Sequence, residues 1–170
     1  MNINEGFQID EPDVFVPWGI EEEGLVNLLG NYGLKKFKKG YYTLSCKFLG
    51  GLSCELGFHF ETKEDEDKIK EFESYRKSIG KILKKHELTY KPARQGTLKE
   101  LEFFRLSYPN LKESFEEFQF YFEKEFGKPK ESKPDQNGFM NHVWRFESVS
   151  IYHYVIDRFG PEEQMRIKKT

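Results

Sequence analysis

Apolar and polar residues alternate most regularly between Tyr41 and Glu61. Tyr42, Leu44, Cys46 and Phe48 interleave with Thr43, Ser45 and Lys47. After Leu49-Gly50-Gly51, the residues Leu52, Cys54, Leu56, Phe58 and Phe60 interleave with Ser53, Glu55, Gly57 and His59. A period of two puts each set on one face of a strand, so the pattern predicts two strands, each with one apolar face. For both apolar sets to share a face, paired residue numbers must sum to an even value, as Phe48 with Leu52 and Leu44 with Leu56 do. A two-residue Gly-Gly loop breaks that parity. The spacing therefore predicts a three-residue loop, Leu49 to Gly51, with a glycine in the left-handed region. On this register Cys46 lies opposite Cys54, and Tyr41 opposite His59 on the other face.

The remaining segments carry weaker periodicity. Residues 1–18, with Pro12 and Pro17, read as irregular. A first helix is expected from Ile20 to Leu29, with Glu21, Glu22 and Glu23 at its positive end, Leu25, Leu28 and Leu29 inward, and Gly30 or Gly33 ending it. Ile69, Phe72, Arg76, Ile79, Leu83 and His86 recur at spacings of three and four, which predicts a charged helix over residues 64–87. Residues 91–96 read as a loop, and Thr97 to Leu106 as a third strand. Asn110 is a good N-cap with Glu113 three residues on, and Leu111, Phe115, Phe118 and Phe122 form the stripe of a helix that Gly127 and Pro129 stop. Residues 130–138 read as a polar loop and the most mobile segment. Three further strands are expected: His142 to Phe146, Val149 to about Arg158, and Gln164 to Lys168. A two-residue turn joins the first two of these, and Gly160-Pro161 joins the last two.

These elements predict an α+β chain, residues 1–170 forming one domain, with an antiparallel sheet and helices packed on one face. Helix, strand pair and third strand occur twice, at 20–106 (with the charged helix 64–87 inserted) and at 110–169. This order of elements resembles the tandem helix-plus-sheet repeats of β-lactamase inhibitor protein-like domains. The resemblance covers most of the chain and rests on element order, with no shared motif. It implies two α-β-β-β pseudo-repeats and a sheet whose open face binds a partner. Those inhibitors are secreted and disulfide-bonded, which this chain is not expected to be.

Composition changes the picture in three ways. The 170 residues include 17 Phe, 9 Tyr and 2 Trp, and this 16% aromatic content argues for a packed core despite 33% charged residues and a mean hydropathy of −0.75. A formal net charge of −2 weighs against nucleic acid, and Lys35-Lys36-Phe37-Lys38-Lys39, the one strongly basic run, reads as a solvated loop. The N-terminus has neither a basic start nor an apolar stretch for a signal peptide, and no apolar run reaches the roughly 20 residues that span a bilayer. With two cysteines, the expected location is the cytoplasm, with no membrane partner.

No catalytic or cofactor motif stands out, so no catalytic residue, cofactor or metal ligand is assigned. Cys46 and Cys54 are expected as two buried thiols, since neither a CxxC pair nor a second Cys/His pair with zinc spacing occurs. Among His59, His86, His142 and His153 there is no HExxH, and His153, in line with Val149, Ile151 and Val155, is expected to be hydrogen-bonded and half-buried. The candidate site is instead the strand face opposite the core: Tyr41, Glu55, His59, Arg145, Tyr152, Tyr154 and Arg158. Tyr and Arg are the residue types enriched at binding hot spots. A covering of those tyrosines by residues 130–138 or by the N-terminal arm is the competing expectation. The sequence thus points to a small intracellular protein of bacterial type that masks or neutralises a protein partner, a toxin-immunity protein for example. A small-ligand binder or enzyme with a pocket between sheet and helices is the alternative, and the oligomeric state is left open.

Overall fold

The computed structural model describes every residue except 63–95, 105–109, 136–137 and 158–160. Ten strands form one antiparallel sheet: β1 (Gly6–Glu11), β2 (Val14–Pro17), β3 (Lys35–Lys38), β4 (Tyr41–Phe48), β5 (Leu52–Phe60), β6 (Leu98–Phe104), β7 (Glu131–Pro134), β8 (Met140–Arg145), β9 (Val149–Asp157) and β10 (Pro161–Lys169). Among the described residues two helices accompany them, α1 (Glu22–Leu29), which runs on into a short 3-10 turn, and α2 (Leu111–Phe126). The spatial order is β2-β1-β4-β5-β6-β10-β9-β8-β7, and β3 also pairs with β4.

The glycine-led hairpin forms as its parity requires. Phe48 pairs with Leu52, Leu44 with Leu56, Cys46 with Cys54 and Tyr41 with His59. Leu49, Gly50 and Gly51 all have positive φ (54°, 84° and 118°), and Asp10 Oδ2 accepts from the backbone N–H groups of Gly50 (2.7 Å) and Gly51 (3.1 Å). The second hairpin closes through a two-residue turn, with Trp144 opposite Ile151 and the Phe146 N–H donating to Val149 O at 2.8 Å.

Residues paired across an antiparallel ladder share a face. Phe7, Ile9, Leu44, Phe48, Leu56, Phe58, Leu101, Phe103, Ile151, Trp144, Met165 and Ile167 therefore lie on one side and are buried in one cluster. Leu25 and Leu29 of α1 and Phe118 and Phe122 of α2 join that cluster. Phe122 is fully buried, its ring centroid 6.2 Å from Phe103 and 5.8 Å from Trp144. The Trp144 indole N–H donates to Gly127 O at 2.8 Å, which fixes the end of α2 beside β8. At the other helix, the Leu98 N–H donates to Ile20 O at 3.0 Å, so β6 holds the start of α1.

Several expectations need correction. Residues 1–18 are not irregular: β1 and β2 form a hairpin, with Phe7 opposite Val16 and Ile9 opposite Val14. The basic run is not a loop, for Lys35–Lys38 is a strand paired with β4. Residues 130–138 are not simply a loop, because Glu131–Pro134 pairs with β8. Asn110 stands at the N-cap of α2, yet its side chain makes no cap hydrogen bond. The helix expected over 64–87 and the loop 91–95 lie outside the described residues. Among the described residues, no helix is long and apolar enough to cross a membrane.

Candidate functional site on the outer face of the sheet

The face opposite the aromatic core is assembled by the same register. Tyr41 pairs with His59, His59 with Glu100, Gly57 with Glu102, Glu102 with Arg166, and Arg166 with Tyr152. Ser45 pairs with Glu55, Gln164 with Tyr154 and Ser150 with Arg145. Six of the seven candidates, Tyr41, Glu55, His59, Arg145, Tyr152 and Tyr154, thus line one face across β4, β5, β9 and β8. The seventh, Arg158, lies outside the described residues. Of the two expected covers, residues 130–138 and the N-terminal arm, Glu131–Pro134 pairs into the sheet as β7 and residues 6–17 as β1 and β2; on the face itself Tyr41 and Glu102 are buried, and Tyr152 and Tyr154 half-buried.

At the centre of this face Glu102 links an imidazole to a guanidinium. Its Oε2 is 2.8 Å from His59 Nε2, and its Oε1 accepts from Arg166 Nη2 at 2.7 Å. The other terminal guanidinium nitrogen, Nη1, donates to Glu100 Oε1 at 3.0 Å, and Lys168 Nζ lies 3.5 Å from Glu100 Oε2. Tyr41 lies tilted on the His59 ring with centroids 4.4 Å apart. Its ring crosses Gly57, where a Cβ would stand 2.7 Å from the hydroxyl oxygen, so this close approach needs glycine. Burial, then the carboxylates of Glu102 and Glu55, pushes the Tyr41 phenol up to about 12, so it remains a protonated donor at neutral pH. Towards the β7 edge Arg145 Nε donates to Glu131 Oε1 at 2.9 Å.

Glu100, Glu102, Arg166 and Glu131 were not singled out from the sequence. Glu100 and Glu102 alternate with Leu101 and Phe103, and Arg166 lies between Met165 and Ile167, so their face was readable. Their meeting depends on β6 pairing with β10, some sixty residues along the chain, which local patterning does not show.

A second polar cluster sits under α2, on the core face. His153 is fully buried, not half-buried, because Phe115 stacks on its ring at 3.9 Å. Its Nε2 is 2.9 Å from Glu163 Oε1 and its Nδ1 is 2.9 Å from Gln119 Oε1. Ser114 Oγ donates to the other oxygen of Glu163. His142 pairs with His153 across the strands and has Nδ1 2.8 Å from Ser132 Oγ. Burial holds both imidazoles below the ordinary histidine range, aided at His142 by the neighbouring His153 and opposed at His153 by Glu163.

The sign of the resulting pH dependence follows directly. Both folded pKa values lie below the unfolded value of about 6.5, so the unfolded chain binds more protons in the window beneath it. Stability is complete above that window and is lost as pH falls through it. The urea midpoint is expected to be lower at pH 5.5 than at pH 7.5, with a smaller difference in His142→Gln. An equal or higher midpoint at pH 5.5 would contradict the burial of neutral imidazoles.

Cys46 is buried as expected, whereas Cys54, expected to be buried too, is only half-buried; both are free thiols. Among the described residues no group of three or more His, Cys, Asp or Glu is placed to hold a metal ion. A groove of about 540 Å³ runs past Met1, Gln8, Asp10, Phe15, Leu49 and Glu125, beside the N-terminal hairpin and away from the outer-face cluster.

Fold and face together describe an α+β protein with a ten-stranded antiparallel sheet. No protein-family model, curated protein or solved structure matches the chain.

Proposed function

We propose that this chain is a non-catalytic, intracellular protein-binding module that masks or neutralises a protein partner, a toxin-immunity protein being the concrete form. The outer face of the sheet is the contact surface. The observation that carries this reading is the gathering of Tyr41, His59, Tyr152 and Tyr154 with Arg145 and Arg166 on a single face. Tyrosine and arginine offer large contact area with a polar tip, which is why they dominate binding hot spots. Both arginines of the face are paired, Arg166 with Glu100 and Glu102 and Arg145 with Glu131, while the His59 imidazole meets Glu102. Paired charges are less costly to desolvate under a partner than lone ones.

The element order supports two pseudo-repeats with both helices on the core face. Among the described residues, α1 is followed by β3 to β6 and α2 by β7 to β10, four strands each where three were expected. The two halves meet at β6 and β10, and the strand order runs outwards from that seam in mirror sequence.

The test is affinity capture from the native lysate with the tagged protein, read by mass spectrometry. One stoichiometric protein is expected, and it is lost when Tyr152→Ala and Tyr154→Ala are combined, with the melting curve showing a folded variant. Capture that is undiminished in the double variant would refute the outer face as the contact surface.

A further inference from the structure

The basic strand β3 borders the outer face and is not absorbed by its network. Every residue from Lys35 to Lys39 is exposed, and Phe37 is 77% exposed, the most exposed large apolar side chain described. Its ring meets Tyr41 edge-on, with centroids 5.8 Å apart and planes at 81°, so Phe37 adjoins the outer-face cluster. Lys36 turns to the other side, over the Tyr42 ring at 5.4 Å and 3.8 Å from Glu22. Lys35, Lys38 and Lys39 have no acid partner among the described residues. Within the sheet β3 pairs with β4 alone, and a register shift falls at Phe37, between Lys36 and Lys38.

We infer that β3 is a docking strip for an acidic, extended segment of the protein partner, with Phe37 as its apolar anchor; this rests on the protein-binding reading above. Three ammonium groups with no acid partner among the described residues, beside an exposed aromatic, form a locally positive strip on a chain of formal net charge −2. The strip is narrow. Glu22, in the first turn of α1, stands beside Lys36, and Glu55, Glu100 and Glu102 lie on the outer face beyond Tyr41. Those carboxylates would repel the broad, continuous charge of a nucleic-acid duplex or an anionic bilayer. A single extended peptide, carrying separate carboxylates around an apolar residue, fits between them. Lysines and irregular register on an edge strand discourage neutral strands from pairing there. An acidic segment neutralises that guard, so the features that block indiscriminate pairing also select this one.

The probe is a fluorescent ten-residue peptide alternating Glu with Leu, titrated against the full chain by anisotropy in low salt. Binding is expected to weaken at least about tenfold in the Lys35→Glu/Lys38→Glu/Lys39→Glu variant and several-fold in Phe37→Ala, and to fall as salt rises. A peptide with Lys in place of Glu is expected not to bind. All substituted side chains are exposed, and circular dichroism confirms that each variant is folded. Peptide affinity indifferent to the charge reversal would overturn the inference. So would tighter, equally lysine-dependent binding of a DNA duplex or of phosphatidylserine vesicles, which would make the strip a site for nucleic acid or for membrane respectively. The two readings separate cleanly. Partner capture lost with Tyr152/Tyr154 but unchanged by the lysine reversal removes the inference alone, while peptide binding in a chain with no Tyr152/Tyr154-dependent partner removes the proposed function alone.

Discussion

Phe122→Ala is expected to destabilise the protein by about 3–5 kcal/mol, the cost of emptying a fully buried aromatic site. Phe122 is where α2 meets the sheet: it faces Phe103 of β6, Trp144 of β8, Phe126 of its own helix and the ring of His153. Two of these neighbours are held back from the space, Trp144 by its bond to Gly127 and His153 by its bond to Glu163. A chain of this size should then melt on the order of 10 °C lower. Phe120, two residues away and 63% exposed, is the internal control, and Phe120→Ala is expected to stay within about 0.5 kcal/mol of the parent. Urea unfolding of both variants decides the matter. Equal costs would mean that α2 does not pack on the sheet through Phe122.

The second large effect is expected at Glu163. Its carboxylate receives Ser114 Oγ on one oxygen and stands 2.9 Å from His153 Nε2 on the other, with the side chains of His153 and Glu163 only 0% and 2% exposed. Glu163→Ala leaves both neighbours buried without their partner, at a cost of about 2–5 kcal/mol, roughly 1–3 for each orphaned group. Replacing the pair together, His153→Leu with Glu163→Met, removes the orphaned imidazole and leaves only the Ser114 hydroxyl and the Gln119 amide without these partners, so it should recover part of that loss, because apolar packing often replaces a buried pair at little net cost. A double variant as unstable as Glu163→Ala would instead show that the pair is needed for its geometry and not merely tolerated.

How much of this was legible in the sequence divides along the sheet. The hairpin β4–β5 was readable to the residue, because strict alternation leaves one register once the loop must preserve parity. The turn between β8 and β9 was readable for the same reason. The strands that escaped notice include three at margins of the sheet: β2, β3 and β7. Marginal strands are wet, so selection for one buried face is weak and the alternation fades. Pro17 ends β2 and Pro134 ends β7, where a missing N–H interrupts no ladder, yet Pro17 made residues 1–18 read as irregular and Pro134 lay in a segment that read as a polar loop. Lys35–Lys38 pairs through its backbone with every side chain in water, so its composition looks like that of a loop. β1 was lost with its partner, although Phe7 and Ile9 already carried the alternation.

The candidate face was legible as a face but not as a network. Alternation alone placed Tyr41, Glu55, His59, Arg145, Tyr152 and Tyr154 opposite the core. It could not reveal that Glu102 joins His59 to Arg166, because that contact requires β5, β6 and β10 to lie side by side. His153 was placed on the apolar side correctly, whereas its full burial depends on Phe115 of α2, a long-range packing contact.

The measurement that tests the central claim most directly is the affinity of the captured partner, by titration calorimetry, for three proteins: the parent, the Tyr152→Ala/Tyr154→Ala variant, and Phe120→Ala. Two aromatic anchors lost from the outer face should weaken binding by at least about 100-fold, while the exposed phenylalanine on α2 should change it by less than about threefold. If the double variant binds as the parent does, or if Phe120→Ala is the variant that fails, the partner docks elsewhere and the outer face of the sheet is not its contact surface.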